Sequence, residues 1–153
     1  MALDITGLTD AVVSHAMACG RFETVNGHEP MAPPASGGLT AGVWVDQVRP
    51  VRSSGLASVS AGVTFLVRVY TSAMSEPLDA IDPALIEAVD DLCTAYAGDF
   101  TLGGLVRNVD LFGQANGTGL DVRAGFLREN GVTLRVMTIT LPLIVNDLWE
   151  EEA

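Results

Sequence analysis

The sequence predicts an α+β fold, a mainly antiparallel sheet with two principal helices packed on one face, as a single domain over residues 1–153. Three observations predict it. First, Val59 to Thr71 alternates with a period of two: Val59, Ala61, Val63, Phe65, Val67 and Val69 at odd positions, Ser60, Gly62, Thr64, Arg68 and Tyr70 at even ones, with Leu66 the one apolar exception. Second, two segments carry apolar stripes at helical spacing. Third, two alternating runs flank Asn130-Gly131, the turn pair that closes a two-residue hairpin.

The elements follow in order. Asp4 to Cys19 reads as an amphipathic helix, with Ile5, Leu8, Val12, Ala16 and Cys19 on one face. Asp4 or Thr9 caps its start and Gly20 ends it. Arg21 to Val25 reads as a short strand closed by Asn26-Gly27. The run 29–42 holds Pro30, Pro33, Pro34, Gly37, Gly38 and Gly42, which predicts a mobile loop suited to partner contact.

Val43 to Val51 is a second strand, with Val43, Val45 and Gln47 on one side and Trp44, Asp46 and Val48 on the other. Pro50 puts that end at an edge or bulge. Arg52-Ser53-Ser54-Gly55 turns the chain, and Val59 to Thr71 returns antiparallel. That strand is about 40 Å long at ~3.3 Å per residue, far beyond the usual five or six residues.

Asp82-Pro83 opens the second helix, as N-cap and first helical residue. Leu85, Val89, Leu92 and Tyr96 form its stripe, and Gly98 takes the left-handed position past its end. Leu105 to Phe112 reads as a strand and Gln114 to Gly119 as a flexible turn. Across Asn130-Gly131, a two-residue turn pairs Phe126 with Arg135, Ala124 with Met137, Val122 with Ile139 and Leu120 with Leu141. That register predicts one buried face and one carrying Asp121, Arg123, Thr138 and Thr140. The chain closes on an acidic tail, 150–153.

Composition narrows the function. Hydrophobic residues make up 48% and charged residues 18%, which excludes intrinsic disorder. The net charge is −11, and all eight basic residues are arginine. Such a chain is a poor reader of nucleic acid, because phosphate binding needs a basic surface. Cys19 and Cys93 fit no disulfide framework and read as free thiols on helices. No signal peptide or apolar membrane span is expected, so the chain reads as soluble and cytoplasmic.

Catalytic signals are thin. His15 and His28 have no partner at metal-ligand spacing. Asp79, Asp82, Asp90 and Asp91 lack the spacing of a divalent-ion loop. Gly113 to Gly119 is glycine-rich, but no lysine follows it and a strand comes next, unlike a phosphate loop. Ser53 and Ser54 sit in a turn where serine serves the backbone. No catalytic residue, metal site or cofactor site is predicted. Arg68 stands out instead, between Leu66 and Tyr70 on the non-core face of the long strand. Arginine and tyrosine are enriched in interface cores, and the competing reading is contact with a helix of the same chain.

Several stretches together resemble a family: Val43-Trp44-Val45-Asp46 to Arg49-Pro50, Ser53-Ser54-Gly55-Leu56, Phe65 to Tyr70, Asp82-Pro83, Gly98 to Gly104, Arg107-Asn108-Val109-Asp110, and Leu141 to Asp147. Over residues 39 to 149 this series resembles the tail terminator proteins of long-tailed (siphovirus-type) phages of actinobacterial hosts, the minor tail protein U-like group. The resemblance implies an α+β structural subunit, not an enzyme, that assembles as a homo-oligomer, a hexameric ring. That ring would sit on the tail-tube protein at the neck end of the virion tail, stop tube growth and meet the head–tail connector. Genome DNA would pass through without specific binding. Assembly would take place in the host cytoplasm, with no membrane involved. The candidate contact residues are Leu66, Arg68 and Tyr70 on the long strand, Arg49 on the adjacent strand, and Pro30, Pro33 and Pro34 in the loop. A neighbouring neck or head-completion protein is the alternative within the same class. A small α+β ligand-binding protein or enzyme is the alternative outside it.

Overall fold

The computed structural model describes residues 3–29, 38–51, 58–74, 77–115, 117 and 119–150. The fold is α+β, with two helices on one face of a curled, mostly antiparallel sheet. The elements are α1 (Ile5–Ala18), β1 (Thr24–Asn26), β2 (Thr40–Val51), β3 (Ser58–Ser72), α2 (Ile81–Gly98), β4 (Asn108–Val109), β5 (Asp121–Glu129) and β6 (Val132–Glu150). The sheet order is β1-β2-β3-β6, with β4 and β5 both on the far edge of β6.

The long strand sits at the centre. β3 pairs antiparallel with β2 on one side and β6 on the other. Its odd residues Ala61, Val63, Phe65, Val67 and Val69 are fully buried. Against them pack Leu8, Val12 and Ala16 of α1, and Leu85, Val89, Leu92 and Tyr96 of α2, so both predicted stripes face one core. Met137, Ile139, Leu141 and Leu143 of β6 complete it. Asp4 caps α1 by accepting the Gly7 N–H at 3.0 Å, and the chain leaves through Gly20 at φ 71°. The β5–β6 hairpin keeps the register expected from its two-residue turn, Glu129 beside Val132 through Asp121 beside Thr140.

Local reading fails where a distant partner intervenes. On β2 the register against β3 shifts between Val45 and Gln47, so Asp46 is an extra residue. Gln47 therefore joins Trp44 on the back of the sheet and Val48 joins Val45, the reverse of strict alternation. β1 lies at Thr24–Asn26, later than expected, and Asn26-Gly27 closes no hairpin, because β1 pairs parallel with β2. A single 3₁₀ turn, Leu78–Ala80, feeds directly into α2, so Asp82 lies inside the first turn and is not its cap. Gly98 is the last helical residue, and the left-handed turn comes later, at Leu102 (φ 46°), Gly103 (φ 68°) and Gly104 (φ 92°). That turn consumes most of the expected strand over Leu105 to Phe112, leaving Asn108–Val109.

The hairpin also departs from one buried face. Its β6 half is buried on the helix side at Met137, Ile139 and Leu141, while Phe126 opposite is 68% exposed. Near the turn, Leu134, Val136 and Leu127 pack with Tyr70 on the back of the sheet, a second small core.

Candidate subunit interface

Three of the candidate residues lie on β3. Leu66 and Arg68 are half-buried on the back of the sheet, as an even-numbered face requires. Arg68 is held there by its neighbours: its guanidinium lies 5.1 Å from the centroid of the Trp44 ring, and Nε donates to Thr138 Oγ1 at 3.2 Å. Thr138 is its direct partner on β6, and Trp44 sits beside Leu66 on β2. The back face thus carries a shallow Trp–Leu–Arg platform across β2 and β3, bordered by Thr138 of β6. Tyr70 is a correction. At 2% exposure it belongs to the second core; burial, then the Glu129 charge, raises its hydroxyl pKa. Even positions are open only where nothing covers them, and the hairpin covers Tyr70.

Arg49 also serves the subunit. It sits beside Gly62, which sits beside Ile144, and its side chain is half-buried. A Cβ added to Gly117 (φ 76°) would stand 3.3 Å from Arg49 Nη2. Arg49 therefore reaches toward the loop that precedes β5. Pro30, Pro33 and Pro34 lie outside the described residues, as do Ser53 to Leu56.

A second arginine organises the hairpin, and pairing it with Phe126 in the sequence did not reveal its full role. Arg135 lies over the Phe126 ring at 4.5 Å, donates from Nη1 to the Gly125 carbonyl at 3.1 Å, and grips Asp82 with Nε (2.9 Å) and Nη2 (3.3 Å). This bidentate pair ties the hairpin to the first turn of α2. Arg135, Asp82, Phe126, Asp79, Leu78, Ile81 and Ala73 line an open cleft of ≈ 380 Å³. The hydrogen bond from Arg135 is the main cause that holds the Asp82 carboxyl below its ordinary range. A lowered carboxylate stabilises above the unfolded value of about 3.9 and loses that contribution as pH falls through the folded value. Asp82→Asn is therefore expected to flatten the acid limb of the stability curve, read from urea midpoints between about pH 2.5 and about pH 5. An acid limb as steep as the parent's would assign that slope to other carboxylates.

The remaining polar residues serve the scaffold. His15 stacks on Tyr96, ring centroids 5.6 Å apart, and its Nε2 lies 2.9 Å from Asp99 Oδ2, off the line of a hydrogen bond. The Tyr96 hydroxyl donates to the Val12 carbonyl at 3.1 Å, joining α2 to α1. Arg21 bridges Asp91 and Glu87 on α2. Cys19 and Cys93 are free and half-buried; burial, reinforced by Asp90, pushes the Cys93 thiol up, away from thiolate chemistry. Among the described residues no cluster of three His, Cys, Asp or Glu is placed to hold a metal, and no helix is long and apolar enough to cross a membrane.

No family model and no curated protein matches the chain. Among solved structures, a chain of the virion of a native gene transfer agent particle matches with a TM-score of 0.48 at 19% identity, covering 94% of this chain and 98% of that one. Similarity this remote assigns no role.

Proposed function

We propose that the chain is a structural subunit of a phage-type virion, a tail terminator that assembles as a ring on the end of the tail tube, stops its polymerisation and presents the surface that joins the head. The observation that carries this reading is the architecture of the sheet. Among the described residues two edges have no partner strand, the outer side of β5 and the Val43–Val51 run of β2 on the opposite side, near a half-open platform of Trp44, Leu66 and Arg68. A closed ring needs two different complementary faces on each subunit, and a sheet open at both sides supplies them. The resemblance over residues 39 to 149 supports the specific role. The charge of −11 suits a lumen through which DNA slides without sticking.

The test is incubation with purified tail-tube protein, imaged by negative stain. Capped tubes of defined length, with a ring at one end, are expected. Tubes that keep growing would remove the terminator role, and binding to the portal-side connector would favour a neck protein. Arg68→Ala is expected to weaken capping while costing the monomer only about 1–2 kcal/mol, since a cation–π contact is worth ~0.5–1 kcal/mol at an exposed site and ~2 when desolvated, and Arg68 is half-buried. A large drop in monomer melting temperature with intact capping would place Arg68 in the fold alone.

A further inference from the structure

The two open edges can be matched residue by residue. Among the described residues β5 pairs with β6 alone. On β2, β1 occupies Thr40, Ala41 and Gly42, and no described strand lies beside Val43 to Val51, a run as long as β5. The strands between the edges alternate in direction: β2 against β3, β3 against β6, β6 against β5. β2 and β5 therefore run oppositely. A rotation that carries one copy to the next along the sheet sets β2 of the next copy antiparallel to β5. We propose that the outer edge of β5 pairs with the Val43–Val51 edge of a second copy, continuing one sheet from subunit to subunit. This deepens the ring reading and rests on it for closure.

Backbone geometry restricts the register. Glu129 and Val132 flank a two-residue turn and exchange backbone bonds, so alternation turns the N–H and C=O groups of Val122, Ala124, Phe126 and Arg128 outward. Carried across β6 and β3, the same alternation turns those of Val43, Val45 and Val48 outward on β2. The Ala73 N–H bonded to the Thr133 carbonyl at 3.0 Å fits that count.

One alignment pairs the outward groups of Val122, Ala124 and Phe126 and suits the side chains as well, leaving Arg128 past the end of the free run, where β1 lies on β2. It sets Val122 beside Val48, Ala124 beside Val45 and Phe126 beside Val43, with Asp46 as the extra residue next to Arg123. Val45 and Val48, 39% and 40% exposed, and Phe126 at 68% then cover one another on the helix side. On the back, Asp121 meets Arg49, and Gly125, without a side chain of its own, meets the Trp44 ring. Asp121 already accepts from Arg123 at 3.2 Å on the exposed surface and would be shared between two arginines. Sliding two residues one way puts Arg123 against Arg49 and Val122 against Pro50, which has no N–H. Sliding two the other way puts Phe126 at Ala41, already held by β1. The bulge and Pro50 guard β2 against indiscriminate pairing, whereas β5 runs in unbroken register without proline.

The test is the double variant Q47C/R123C, with Cys19 and Cys93 replaced by serine. These positions face each other as a non-hydrogen-bonded pair, about 4.5 Å between Cα atoms, within disulfide reach of roughly 4.4–6.8 Å. Oxidation is expected to give a ladder of covalent oligomers on a non-reducing gel, and Q47C/R128C, misaligned by several residues, none. A ring by light scattering with no ladder would overturn the edge pairing and leave the ring reading standing. A ladder without rings or tube capping would keep the pairing and remove the ring. Monomers at every concentration and on tubes, with no ladder, would overturn both. Ala124→Pro reads the same edge independently. It removes an outward N–H that β6 does not use, so at least tenfold weaker association with an unchanged urea midpoint is expected. Unchanged association would overturn the proposal.

Discussion

Phe65→Ala is expected to destabilise the protein by about 3–5 kcal/mol, the usual cost of emptying a buried aromatic site. Phe65 is fully buried at the centre of the central strand, between Val45 on β2 and Leu141 on β6, and in the core that both helices cover. The loss combines the transfer of the ring to water with a cavity that flanking strands cannot collapse into, because their register is held on both sides. Urea unfolding would show it as a fall in midpoint at unchanged slope. Leu66→Ala, one residue along, is the internal control. Leu66 is only half-buried on the back of the sheet, so a cost of no more than about 1–2 kcal/mol is expected from its partial burial. Equal costs at the two positions would contradict the two-faced strand.

Asp110→Ala is expected to cost about 2–4 kcal/mol and to loosen the approach to β5. Asp110 is 4% exposed. Its Oδ1 accepts the Gln114 N–H at 2.9 Å and its Oδ2 the Ala115 N–H at 3.0 Å. Its own N–H donates to the Pro142 carbonyl on β6 at 2.8 Å, and its carbonyl accepts from Gly113 at 3.2 Å. One residue thus ties the loop to the sheet. Bonds to a charged acceptor are worth about 1.5–3 kcal/mol each, and an unsatisfied donor keeps its desolvation cost. Hydrogen exchange at Gln114 and Ala115 is the direct readout: protection should fall in the alanine variant and fall less in Asp110→Asn, which keeps an acceptor. Unaltered protection would mean that the carboxylate does not organise the loop. Because the loop leads into β5, the same variant should weaken assembly if β5 is the pairing edge.

Much of the fold was legible because its signals are local. The alternation over Val59 to Thr71 placed Phe65 and its odd neighbours in the core, and the stripes Leu8–Val12–Ala16 and Leu85–Val89–Leu92–Tyr96 placed both helices on one side. Asn130-Gly131 set the hairpin register for all of β5. What misled was local chemistry with a distant partner. Asp82 beside Pro83 looks like a cap, but Arg135, 53 residues away, takes the carboxylate. Leu105 to Phe112 looks like a strand, but Asp110 spends its side chain on the next loop and Leu102 turns the chain to positive φ.

The candidate contact residues divide in the same way. Arg68 was visible as a cation on a non-core face, but its seat on Trp44 depends on β2 lying beside β3. Tyr70 looked like its equivalent and is buried, because the hairpin, about 65 residues later, folds over it. The sequence by itself determined which residues face each other within an element and across a tight turn, because periodicity and turn geometry act over a few residues. Only the tertiary structure decided that Asp46 is a bulge, that β1 runs parallel, that the back face is closed at Tyr70 and open at Trp44, and that, among the described residues, β5 and the Val43–Val51 run of β2 each keep one side without a partner strand. Those outcomes depend on which strand lies next to which, and that is settled by packing between segments far apart in the chain.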